Sequence, residues 1–173
     1  MSFLQRLFGE TRQRAALMPL YQTLVEIGRD PAWYRDGGVP DTLDGRFDMV
    51  AAVTALALLR LEAEGEAGKG PSVLLTEIFI DDMDGTLRQI GIGDYVVGKH
   101  LGRMVGALGG RLGAFRDGAA AGSLTEAVRR NIFHASPPSE AALDFVARRL
   151  ESVGRMLNEA PLSSLYEGKV PRL

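Results

Sequence analysis

The sequence contains no cysteine, which removes disulfides, thiolate nucleophiles and zinc–thiolate centres from consideration at once. An intracellular, cytoplasmic setting is the simplest reading of that absence. There are two histidines, His100 and His134, too few for a histidine-built metal site, and no Ser-His-Asp order stands out. Neither a metal nor a cofactor is expected. No apolar run reaches the roughly 20 residues that span a bilayer; the longest, residues 49–61, has 13. No transmembrane helix follows. The chain also lacks an excess of one charge, because 20 basic and 22 acidic side chains leave a net charge of −2. A nucleic-acid surface driven by bulk electrostatics is therefore not expected. Alternating strand patterns, internal repeats and low-complexity tracts are missing as well, which leaves helices to carry the fold.

What is present supports one helical domain. The 173 residues, 46% hydrophobic and 24% charged, are enough for a single core in an ordinary globular chain. Leu17, Leu20, Tyr21, Leu24 and Val25 repeat at the helical period, and Gly28 with Pro31 stops that helix. Trp33 and Tyr34 anchor an ordered loop that runs to residue 48. Thr42 or Asp44 then caps a helix reaching about Glu64; residues 50–59 are apolar nearly all round, which marks it as the central helix. Residues 65–70 read as an exposed turn, and Pro71 opens the next helix, which ends at Gly91. Asp94 caps a helix over residues 95–115, where Val97, Leu101, Met104, Leu108, Leu112 and Phe115 form a seam. Ser123 and Glu126 have capping-box spacing for a short helix reaching His134. Ser139 caps a last long helix striped by Leu143, Val146, Leu150, Val153 and Leu157, closed by Pro161. The expectation is an all-α, single-domain bundle of six or seven helices. It divides into an N-terminal amphipathic turn over 1–11, a helical domain over 12–160, and a tail over 161–173 that frays after one turn. Phe3, Leu4, Leu7 and Phe8 give the first turn an apolar side suited to peripheral membrane contact or to packing on the core.

Two features carry chemistry. Gly98, Gly102, Gly106 and Gly110 recur every fourth residue, each weakening the helix by about 1 kcal/mol relative to alanine. Close helix packing within the chain, or association with a partner or a second copy, would offset that loss. The stretch 78–87, I-F-I-D-D-M-D-G-T-L, resembles the D-x-D-G-T nucleophile motif of haloacid dehalogenase-like phosphatases. There Asp82 would accept the phosphoryl group and Asp84 would act as acid and base, with magnesium balancing the charge. That chemistry requires the motif at the end of a parallel strand, and no strand–helix units surround it. Asp81, Asp82 and Asp84 also fall short of the D-D-x-x-D of all-α prenyl-diphosphate enzymes, because Gly85 stands where the last aspartate belongs. Ion pairing with Arg88, Lys99 or Arg103 is the remaining use of these carboxylates.

Taken together, several segments resemble the ubiquinol-cytochrome c chaperone family, which includes factors that escort newly made cytochrome b into the bc1 complex. They are V-P-D-T-L-D-G-R-F-D at 39–48, Asp81, Asp82 and Asp84 with Leu87 and Arg88, and Gly91, Gly93, Asp94 and Lys99. Downstream, Gly110 with Arg111, Phe115 with Arg116, and Arg130 with Asn131 fit as well. The resemblance covers roughly residues 17–145. It implies an all-α bacterial member that is not an enzyme and binds a protein client, cytochrome b or a helper subunit, peripherally to the inner membrane. Asp81, Asp82, Asp84, Arg88, Asp94, Lys99 and Arg103 are then the candidate partner-binding residues, with the glycine stripe beside them. The competing readings are the phosphatase and a dimeric scaffold without a client.

Overall fold

The computed structural model describes residues 3–89, 94–134 and 137–170, with side chains from residue 12 onward apart from those of residues 87, 94–97, 99 and 100. It is a single all-helical domain, and no strand occurs among the described residues. The helices are α1 (Phe3–Gly28), α2 (Pro31–Arg35), α3 (Leu43–Glu62), α4 (Glu66–Gln89), α5 (Asp94–Ala121), α6 (Thr125–Asn131), α7 (Glu140–Glu159) and α8 (Leu162–Tyr166). Two of them, α2 and α8, are five residues each, so the longer helices match the expected number. None of the helices described is long and apolar enough to cross a membrane.

The bundle is built round α3. Thr42 stands extended before it and accepts the Gly45 amide at 3.1 Å, while Asp44 in the first turn suits the positive end of the helix dipole. Every residue from Met49 to Leu58 is buried, as the nearly continuous apolar sequence requires, and α1, α4, α5 and α7 pack round it. Its alanines keep those neighbours close. At the end of α1, a Cβ on Gly28 would lie 2.9 Å from the Val50 Cα, so the two backbones touch where only glycine fits. On α5, Leu108 and Phe115 are buried, and Leu101, Met104 and Leu112 pack partly buried beside them, which realises the expected seam.

Five local expectations change. No break separates residues 3–11 from the rest, because α1 continues through Pro19 to Gly28. The stop at Gly28 and Pro31 is followed at once by a new helix: Asp30 accepts the Ala32 amide at 2.8 Å, Pro31 fills the first turn, and Trp33 is fully buried with its indole N–H donating to Ile27 O at 2.6 Å. Asp30 and Pro31 thus form a start signal as well as a stop. The helix α4 begins at Glu66 and takes Pro71 inside, since a proline near a helix start removes only one ladder bond. The capping box at Ser123 does not close: Ser123 Oγ takes the Thr125 amide, Glu151 of α7 takes the Leu124 amide at 2.9 Å, and Glu126 turns to Arg130. Accordingly α6 stops at Asn131, short of His134. The tail, expected to fray, docks instead. Leu165 and Val170 are buried, and Thr23 of α1 donates to Gly168 O at 2.9 Å.

Candidate functional site

The three aspartates of α4 serve different neighbours. Arg14 of α1 reaches Asp81 at 2.5 Å, the Tyr21 hydroxyl donates to Asp82 at 2.7 Å, and Arg88 donates to Asp84 at 2.8 Å, one turn along the same helix. Burial and the Asp82 charge together push the Tyr21 phenol far above its ordinary range. Asp81 and Asp82 thereby hold α4 against α1. No group of residues suited to a metal ion occurs among the described residues, and the segment is helix where the phosphatase motif requires a strand end. The phosphatase reading loses its scaffold here.

The remaining candidates lie on α5. Arg103 is exposed, and the side chains of Asp94 and Lys99 lie outside the described residues, as does that of His100. The glycine stripe is not where helices of this chain meet. A Cβ on Gly98, Gly102, Gly106 or Gly110 would find nothing within 4 Å, which corrects the expectation of close packing within the chain. The seam that packs on α3 belongs to the opposite side of α5, and the glycines face outward.

What the sequence did not disclose is a groove across the start of α3, the end of α4 and the middle of α5. It consists of two hollows of about 800 Å³ and 520 Å³ that share Asp44, Phe47 and Met104. The larger has an apolar floor from Leu43, Phe47, Val50, Met83 and Met104, with Arg29, Arg35 and Arg46 at its rim. Leu43 is 47% exposed, a large apolar side chain open to solvent beside two methionines whose unbranched chains adapt to varied shapes. The smaller hollow is more polar, bordered by Arg103, Arg111, Arg130, Asn131 and His134.

Its wall is a buried polar network. Arg111 of α5 and Asp48 of α3, whose side chains are 5% and 6% exposed, form an ion pair. The same guanidinium donates to Asn131 O at 2.7 Å and Ala107 O at 3.1 Å, and sits 5.4 Å from the Phe47 ring centroid. His134 Nε2 lies 3.0 Å from the second Asp48 oxygen. Burial pushes the Asp48 carboxyl above its ordinary value against the pull of Arg111 and His134, and it pushes the Arg111 guanidinium down. Three segments thus meet: the 39–48 stretch, the Gly110–Arg111 pair and the Arg130–Asn131 pair. The three are far apart in the sequence and converge only in the fold. Nothing in this site resembles a nucleophile with its base. It is an arginine-rimmed hollow with an apolar base.

Comparison with known proteins places the fold. The crystal structure of the Cbp3 homolog from Brucella abortus superposes with a TM-score of 0.80 at 26% identity, covering 99% of this chain and 97% of that one. No curated protein sequence matches the chain. The family model of the ubiquinol-cytochrome C chaperones matches residues 35–170, a span that contains α3, α4, α5 and every residue of the buried network, and the chain belongs to that family.

Proposed function

We propose that this protein is a non-catalytic assembly chaperone of the respiratory bc1 complex, and that it holds an apolar segment of cytochrome b or of a helper subunit in the groove between α3, α4 and α5. Family membership supports the general role. The observation that carries the site is the exposed Leu43 beside the partly buried Phe47 and Met104, over a base closed by the buried Val50 and Met83. Burying such a floor supplies contact energy of about 25 cal/mol per Å² without demanding one fixed partner shape. The arginine rim fixes orientation. The chaperone works at the inner membrane surface and lets the client go once its own subunit contacts form.

This reading puts Arg103 in contact with the client and gives Asp81 and Asp82 the task of fixing α4, which forms one wall, while Asp84 pairs with Arg88 along the same helix. Co-purification from detergent-solubilised membranes tests it. Cytochrome b or a partner subunit is expected with the wild-type chain and lost with Leu43→Glu, and a deletion strain is expected to accumulate less bc1 complex. Normal bc1 levels in the deletion strain, with no membrane subunit recovered, would sink the proposal.

A further inference from the structure

Sulfur in this chain is confined to methionine, since there are six methionines and no cysteine. A peroxide that meets the folded protein therefore finds no thiolate, and thioethers are the sulfur groups left for it to attack. Their surroundings differ. Among the methionines whose side chains are described, Met49 is 0% and Met83 5% exposed, and Met18 of α1 and Met156 of α7 pack partly buried against the core without lining either hollow. Met104 is also partly buried, yet it lines both hollows of the groove. It stands between the apolar base closed by Val50 and Met83 and the polar hollow bordered by Asn131 and His134.

We infer that Met104 is an oxidation site that controls the groove: hydrogen peroxide converts its thioether to the sulfoxide, and the groove then loses its hold on an apolar segment. This rests on the chaperone reading and adds a control to it. In the step, the sulfur lone pair attacks one peroxide oxygen, the O–O bond breaks as the S–O bond forms, and the proton on the transferred oxygen passes to the departing hydroxide. The thioether is oxidised and the peroxide is reduced to water. What had been an apolar, unbranched side chain that adapts to the shape laid against it now carries a polar oxygen that accepts hydrogen bonds. An apolar segment laid over Met104 leaves that oxygen buried without a donor, which opposes binding. Leu43, Phe47 and Val50 offer hydrogen peroxide no such group, and Met83 is enclosed, so the sensitivity of the groove is concentrated at one residue. Enzymatic reduction returns a sulfoxide to the thioether, which makes the change reversible.

The test treats the whole chain with hydrogen peroxide, maps sulfoxide by peptide mass spectrometry, and follows a labelled leucine–alanine peptide of about 20 residues, a bilayer-spanning length, by fluorescence anisotropy. Met104 is expected among the methionines oxidised first, with Met49 and Met83 protected by burial. Peptide affinity is expected to fall roughly tenfold, a factor worth about 1.4 kcal/mol, and to return after treatment with methionine sulfoxide reductases of both stereospecificities. Met104→Leu is expected to keep its own untreated affinity through the same exposure to peroxide. Met104→Gln, which places a polar group there permanently, is expected to bind weakly without any treatment. A Met104 that remains a thioether after Met18 and Met156 have become sulfoxides, or a fully oxidised Met104 with unchanged peptide affinity, would overturn the switch and leave the chaperone groove standing. Loss of the helical circular dichroism signal on oxidation would assign the lost affinity to unfolding and overturn the switch as well. Failure of the untreated chain to bind the peptide would overturn the groove and the switch together.

Discussion

Removing one member of the Asp48–Arg111 pair should be among the most damaging single changes available in this fold. Both side chains are almost fully enclosed, and the pair joins α3 to α5 while the Arg111 bond to Asn131 O ties in the end of α6. In Asp48→Ala the guanidinium keeps two carbonyls and the Phe47 face, yet its charge is left without a counter-ion inside the protein. Breaking such a pair costs about 3–5 kcal/mol, a large part of the 5–15 kcal/mol that stabilises a typical domain. With a urea slope of about 2 kcal/mol/M, the unfolding midpoint should drop by about 2 M. The double replacement Asp48→Leu with Arg111→Met removes both charges and keeps volume, so it should recover most of the loss, because apolar substitutes for a buried ion pair are often neutral. His134→Ala should cost under about 1 kcal/mol, since that imidazole is 48% exposed. Urea denaturation followed by circular dichroism measures all three variants. An Asp48→Ala variant that loses less than about 1 kcal/mol, or a double variant that loses as much as Asp48→Ala or more, would refute the account of a coupled buried pair.

Tyr21→Phe removes the hydroxyl that donates to Asp82 and should cost about 1.5–3 kcal/mol at neutral pH, as expected for a bond to a charged acceptor. Because the native phenol is held above its ordinary value, the unfolded chain releases that proton first, and wild-type stability falls as pH rises beyond about 10; the deficit of the variant should narrow there, and a widening gap would contradict the sign. Gly45→Ala places a Cβ 2.0 Å from Pro40 O, so it should destabilise the start of α3 by about 1–3 kcal/mol, visible as a lowered melting temperature. Gly102→Ala and Gly106→Ala should do the opposite, each adding about 0.5–1 kcal/mol through helix propensity, since nothing lies within 4 Å of either position; a loss of stability would reveal a contact within the chain.

The sequence disclosed what local pattern can encode. The stripe of Leu143, Val146, Leu150, Val153 and Leu157 is buried on α7 and Ser139 caps it, because period and cap are properties of neighbouring residues. Residues 50–59 marked α3 as central for the same reason, since a helix apolar on every side has nowhere to go but inside. The start of α4 and the docked tail escaped because tertiary packing overrode local breakers: Pro71 sits within a helix held on both sides, and the tail at 161–170 is fixed by α1. The groove escaped for a stronger reason. Asp48 and Arg111 are 63 positions apart and Asp48 and His134 are 86 apart, and no periodicity joins them. The family resemblance had gathered Asp48, Arg111 and Asn131 as fragments without showing that they touch.

The acidic stretch of α4 shows how secondary structure decides what a string of residues is able to do. Successive helical side chains turn by about 100°, so Asp82 and Asp84 point roughly 200° apart. One faces Tyr21 of α1 and the other its own Arg88. A nucleophile and an acid that must meet one phosphoryl group across an ion cannot work from opposite sides of a helix, whereas the loop after a strand would bring them to one side. The same geometry suits Asp82 to fastening, because the bond from Tyr21 holds α4 against α1 where Met83 and Thr86 line the groove, while Asp84 stays with Arg88 on its own helix. The letters that resemble a phosphatase therefore serve packing, with Asp81 and Asp82 fixing α4 as one wall of the groove.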